Sequence, residues 1–141
     1  MKWLSVVACV LAASCVGGTP KPEGGRLAQP PGVTFEFVHA SHNETFRGRT
    51  NDAQLIAQLR AELAKPAEQR MLHPHGKLQR DDDHGVNVPW HWSYDEADWG
   101  VAEMSAEVCD GWPGDVEQRL DDWMHVGSFC PWSSRVAREL P

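Results

Sequence analysis

The sequence predicts an α+β domain: a mostly antiparallel sheet with two helices packed on one face, and one disulfide. Three observations carry this. Segments of period two open and close the region from residue 33 onward. Two segments of helical period lie between them, and two cysteines, Cys109 and Cys130, remain in that region as a pair. Strand, helix, several strands, helix, strand is the order of a sheet that gathers its helices to one side.

Ahead of the domain, Lys2 precedes the apolar run Trp3–Ala13, and the small residues Ala12, Ala13 and Ser14 lead into Cys15. This is the order of a secretory signal, and the run is too short for a membrane-spanning helix. A cysteine directly after small residues resembles the bacterial lipobox, although Ala12 stands where leucine is commonest. Residues 1–14 are therefore expected to be a signal peptide, and Cys15 the lipidated first residue of an exported protein. That protein would be anchored to the cell membrane or outer membrane with its domain outside the cytoplasm. The competing reading is an ordinary cleaved signal with a spare cysteine. Residues 15–32 are dominated by Gly and Pro, cannot bury enough apolar surface to offset their ordering entropy, and are expected to be a tether. Residues 33–141 then form a single domain.

Val33–Val38 alternates apolar and polar residues and reads as the first strand. Ser41–Arg49 reads as loop. Thr50 or Asn51 is placed to cap a helix running to about Lys65, with Leu55, Leu59 and Leu63 on one stripe and Pro66 as its stop. Residues 67–88 are polar, with a short strand expected within Met71–Arg80. Val88–Tyr94 puts Trp90, Trp92 and Tyr94 on one face, and Ala102–Cys109 alternates over eight residues. These two segments are expected to pair through a turn at Asp95–Gly100. Pro113 and Asp115 open a second helix with Val116, Leu120 and Trp123 as its apolar side, and Gly127 ends it. Arg135–Leu140 reads as the last strand.

The two cysteines form an even pair in an exported chain, which predicts a Cys109–Cys130 disulfide. Half of a zinc site is the alternative, but no CxxC pair is present. The formal net charge is −7, and Arg119 is the sole Lys or Arg between Asp95 and Asp122, against ten acidic residues. Nucleic-acid binding requires the opposite sign, so no nucleic-acid partner is expected. The run fits either a solvated face or a surface for a cation or basic partner.

Asn87-Val88-Pro89-Trp90, Glu103, Ala106-Glu107-Val108-Cys109-Asp110, Val116-Glu117 and Cys130-Pro131-Trp132-Ser133-Ser134-Arg135 together resemble the N-terminal domain family of a slime-mould calmodulin-binding protein. That family includes exported single-domain bacterial homologues. The resemblance implies a compact α+β domain with Cys109 and Cys130 paired, and it implies no established activity. Calmodulin is not an expected partner, because neither predicted helix is basic.

His73, His75, Asp81, Asp83 and His84, with His91 beyond, make up the one cluster of metal-ligating types. Their spacing matches no known site, and an exposed polar loop is the alternative. Glu103 and Glu107 would share a strand face roughly 13 Å apart at about 3.3 Å per residue, which is too far for a glycosidase pair. No serine-hydrolase elbow, P-loop or dinucleotide fingerprint occurs, and no cofactor is expected. Six tryptophans fall in the domain, and they either fill the core or offer an aromatic surface. These features predict a non-enzymatic binding or interaction domain with an unidentified protein or glycan partner. Its candidate surface is Trp99, Glu103, Glu107, Asp110 and Trp112. The alternatives are a small secreted hydrolase using acidic residues, and a His/Asp metal-binding protein.

Overall fold

The computed structural model describes residues 31–83 and 85–141. The expected signal peptide, Cys15 and nearly all of the expected tether therefore lie outside the described residues, as does His84.

β1 (Val33–His39) turns through Ala40–Asn43 into β2 (Glu44–Thr50). Asn43 closes that turn at φ 52, in the left-handed region that asparagine tolerates. β2 occupies most of the segment expected to be loop. Its inward positions are Phe46, Gly48 and Thr50, so Phe46 is its one large apolar residue and the alternation hardly registers in the sequence. Gly48 is buried because Trp99 covers it: a Cβ there would lie 2.9 Å from the indole.

α1 (Ala53–Leu63) starts one residue later than expected. Asp52 caps it, accepting the N–H groups of Gln54 at 2.7 Å and Leu55 at 2.9 Å, while Thr50 Oγ1 accepts the Asp52 N–H. Leu55 and Leu59 are buried as the stripe predicts. Glu62 is buried too, and it accepts the N–H groups of Met71 and Leu72 and pairs with Lys65. That carboxylate fixes the path of the chain out of the helix into β3 (His73–Arg80).

β3 pairs antiparallel with β4 (Trp92–Ala102), with a register shift between Gly76 and Leu78. This corrects the expected pairing of 88–94 with 102–109. Asp95–Gly100 is no turn but lies within β4. Ala102–Cys109 is no strand: a loop leads to a single 3-10 turn at Glu107–Cys109. Its alternating apolar residues face solvent, with Met104 86 % and Val108 74 % exposed. Period two there had no sheet behind it.

The expected second helix is two, α2 (Pro113–Gln118) and α3 (Leu120–Val126), broken at Arg119, which adopts φ −126 and ψ 42. Gly127 ends α3 at φ 80, the left-handed cap that glycine adopts without a Cβ penalty. The short β5 (Ser128–Phe129) pairs with β3, and β6 (Ser134–Leu140) pairs with β1.

The result is the α+β class with antiparallel pairing throughout. The strands form two three-stranded sheets, β2-β1-β6 and β4-β3-β5. The core between them is largely aromatic. Phe46 sits 5.4 Å from Phe37, 5.8 Å from Trp92 and 5.9 Å from Phe129, centroid to centroid, and Val116, Trp123 and Leu59 close it from the helices.

The seam between the sheets is made by side chains. On the edge of β2 away from β1, Trp90 Nε1 donates to the Thr45 carbonyl at 2.8 Å. The Arg47 N–H donates to Asn87 Oδ1 at 2.6 Å, and Trp99 Nε1 donates to the Arg49 carbonyl at 2.7 Å. Alternate residues of a strand aim their main-chain groups to the same side. Two indoles and one amide thus occupy groups that a neighbouring strand would otherwise take, which blunts an exposed edge.

Candidate functional site

The two most distinctive sequence segments, Glu107–Asp110 and Cys130–Arg135, meet at the end of the domain where β1 finishes and β3 and β6 begin. The Cys109–Cys130 disulfide joins them with Cα atoms 5.0 Å apart, and the Cys130 N–H donates to the Cys109 carbonyl at 2.7 Å. The Trp132 N–H donates to Asp110 Oδ1 at 2.9 Å, so the Pro131-Trp132 corner is held by a covalent bond and a carboxylate. The Ala40 N–H reaches the Ser133 carbonyl and brings the end of β1 to the same corner.

Against this corner lies a cleft of about 240 Å³ lined by His73, Glu103, Met104, Ser105, Trp132 and Arg135. Its floor is a short polar chain. His73 Nε2 and Ser105 Oγ are 2.7 Å apart, and Trp132 Nε1 donates to the same hydroxyl oxygen at 2.8 Å. An indole can only donate, so the Ser105 proton is free for His73 Nε2 when the imidazole carries its own proton on Nδ1. Burial holds the His73 imidazole below its ordinary value; the Arg135 charge and His75 push the same way, and Asp110 opposes them. His73 is therefore neutral at neutral pH.

Arg135 is immobilised from behind. Its Nε donates to the Arg70 carbonyl at 2.8 Å, and its Nη1 donates to the Trp132 and Ser134 carbonyls at 2.6 and 2.7 Å. Among the described residues no carboxylate pairs with it. Trp132 and Met104 supply exposed apolar surface at the mouth.

A second cluster adjoins the corner. His42 stacks on Trp112 with centroids 4.4 Å apart and planes 4° from parallel, and its Nδ1 lies 3.2 Å from His39 Nδ1. Burial lowers the His39 pKa and His42 adds to this, against Asp110, Glu44 and a hydrogen bond to the Gly111 main chain. Asp110 thus acts electrostatically on both buried histidines.

Of the residues singled out in the sequence, Glu103 lines the cleft, Asp110 braces it, and Trp112 belongs to the histidine stack. Glu107 opens the 3-10 turn and is exposed. Trp99 lies in the seam instead, stacked on Tyr94 with centroids 5.5 Å apart. β3 carries His73 and His75 at its start, whereas Asp81 follows its end and accepts the Gly85 N–H. Six residues of strand place Asp81 roughly 20 Å from His75 at about 3.3 Å per residue. Among the described residues no three His, Cys, Asp or Glu side chains converge as a metal site. His39, His42, Ser105 and Arg135 carried no individual signal, although Arg135 ends one of the segments on which the resemblance rests.

The acidic run is partly neutralised by bases from elsewhere in the chain: Asp95 pairs with Lys77, Glu96 with Arg49 and Asp121 with Arg80. Tertiary pairing of this kind is invisible to local charge counting.

A family model matches residues 32–141, and it describes the same slime-mould protein's N-terminal domain. The chain belongs to that N-terminal domain family. The family resemblance expected from the sequence is thereby established over the whole described fold, from β1 to β6. No curated protein and no solved structure matches the chain. In this member of the family, the segments that carried the resemblance are the ones the disulfide gathers around the cleft. Among the described residues no helix is long and apolar enough to cross a membrane.

Proposed function

We propose that the protein is a binding domain held outside the cytoplasm by a lipid on Cys15, with the His73–Ser105–Trp132–Arg135 cleft as its ligand site. The observation that carries the binding role is an immobilised guanidinium, paired with no carboxylate, that lines a cleft beside an exposed indole. Ligand sites combine a few fixed polar groups with apolar wall, and both are present here. A cleft of about 240 Å³ suits a small molecule or one terminal group of a protein or glycan partner.

The binding role is tested by NMR with a fragment library added to the ¹⁵N-labelled protein. Hits should shift the Trp132 indole resonance and be lost in Trp132→Ala. Hits that cluster elsewhere and survive Trp132→Ala would reject the cleft. The anchor is tested separately by mass spectrometry and fractionation. Cys15→Ser should leave the signal uncleaved or free the domain from the membrane, and an unchanged mass with unchanged attachment would reject lipidation.

A further inference from the structure

We propose that the cleft binds a free α-amino acid with an apolar side chain, its carboxylate on Arg135, its ammonium on Glu103 and its side chain against Trp132 and Met104. This rests on the reading of the cleft as the ligand site and specifies what enters it.

The argument begins with two opposite charges that share one cleft without closing on each other. Glu103 and Arg135 both line it, yet they form no ion pair, and among the described residues Glu103 has no hydrogen-bond partner. Arg135 cannot swing across, because three carbonyls hold its Nε and Nη1. Those bonds leave Nη2 as the unspent edge of the fork, and a guanidinium edge matches a carboxylate.

The arginines of the neighbouring groove show the contrast. Arg47 pairs with Glu36, Arg49 with Glu96 and Arg80 with Asp121, so their charges are answered within the fold. At the His73 cleft the positive and negative groups stay apart, and a zwitterion answers both. An anion alone would leave Glu103 opposing it, and a cation alone would meet Arg135. The exposed Trp132 and Met104 ask for an apolar body between the charges. The Ser105 hydroxyl, held by Trp132 and His73, is a further polar contact on the floor. The volume has room for roughly eight waters at about 30 Å³ each, close to the size of a leucine-like molecule.

The bound carboxylate has a consequence at His73. The charged and titratable groups that face this imidazole are Arg135 from β6, His75 from β3, and Asp110 and Glu103 from the loops. A ligand carboxylate on Arg135 screens the charge that disfavours imidazolium, so the His73 pKa rises on binding.

The test titrates L-leucine, 4-methylpentanoate (no ammonium) and L-leucinamide (no carboxylate) into the purified full chain. Binding is read by calorimetry and by the His73 imidazole resonances. Leucine should bind with a dissociation constant below about 1 mM, and each derivative at least about tenfold more weakly, the ratio expected for losing one charged contact. Glu103→Gln alters an exposed side chain, so the fold should persist; it should erase the preference for leucine over 4-methylpentanoate. The His73 pKa should rise with leucine and not with leucinamide.

Equal affinity for all three compounds, or a preference that survives Glu103→Gln, would overturn the amino-acid assignment and leave the cleft as a site. Silence from all three would also overturn it. Fragments that still shift His73 would then keep the cleft, and silence from fragments as well would remove the cleft itself.

Discussion

Asn87 accepts the main-chain N–H of Arg47 at 2.6 Å and donates its own amide to the Trp92 carbonyl at 2.8 Å. One fully buried side chain thereby ties β2 of the first sheet to the start of β4 in the second. Asn87→Ala leaves a donor and an acceptor without partners in a dry seam, each worth about 1–3 kcal/mol. The variant should lose about 2–4 kcal/mol in urea unfolding, and Asn87→Asp should also destabilise, because it deletes the donor to Trp92. A loss below about 0.5 kcal/mol would contradict the bridging role, since surface substitutions commonly fall within that range.

Cys109 and Cys130 enclose α2, α3 and β5. The bridge spans a sequence separation of 21, and closing a loop of that size stabilises by about 3 kcal/mol in the chain-entropy model. Reduction should lower stability by about that amount. The corner at Trp132 should loosen first, seen as faster hydrogen exchange at the Trp132 N–H than at β1. Uniform loss of protection across both sheets would show that the bridge supports the whole fold and not the corner.

Two buried carboxylates make the domain acid-sensitive. Burial alone would raise the Glu62 carboxyl, but Lys65 and the amides of Leu72 and Met71 outweigh it and hold the group below its ordinary value. Asp115 is held down chiefly by the Arg119 hydrogen bond, with burial opposing and Trp123 assisting. Both groups have depressed folded pKa values. Their contribution is complete above the ordinary carboxylate range, near about 4, and is lost as pH falls through the folded values. Unfolding free energy should drop steeply below about pH 4, and Glu62→Gln should flatten that drop while lowering stability at pH 7. A pH profile identical to the parent would reject the role of Glu62.

His39 and His73 act in a higher window. Both are depressed below the ordinary value of 6.5, so the unfolded chain takes up protons first. Stability is complete above that value and declines as pH falls below it. His73→Gln should remove part of this slope and His39→Gln another part, measured by chemical unfolding between about pH 7 and 5. A slope that neither variant changes would show that both imidazoles protonate normally in the folded state.

Much of the fold was legible in the sequence where pattern and burial coincide. Leu55 and Leu59 announce α1, Pro66 its end and Gly127 the end of α3, because each acts through local geometry. β2 was not legible, because Gly48 is buried by Trp99 and leaves no apolar residue to mark the alternation. The reverse failure occurred at Met104 and Val108, which alternate correctly and face water. The break at Arg119 depends on contacts with Asp115 that only the folded chain brings together. The cleft divides the same way. Glu103 and Asp110 stood out as acids and the Trp132–Arg135 segment as a motif. Ser105 and His73 acquire meaning only because β3 and the loop after β4 place them 2.7 Å apart.

The first and last strands of the domain lie side by side: Thr34 pairs with Leu140 and His39 with Ser134. β1 therefore waits for a neighbour that leaves the ribosome about a hundred residues after it, and so distant a pairing slows folding. A growing chain has no complete first sheet until Ser134–Leu140 emerges. The polypeptide stays in an unfolded, threadable form until then, and folding becomes a single late event. Removing β6 should accordingly abolish the domain instead of trimming it, leaving a chain open to proteolysis along its whole length.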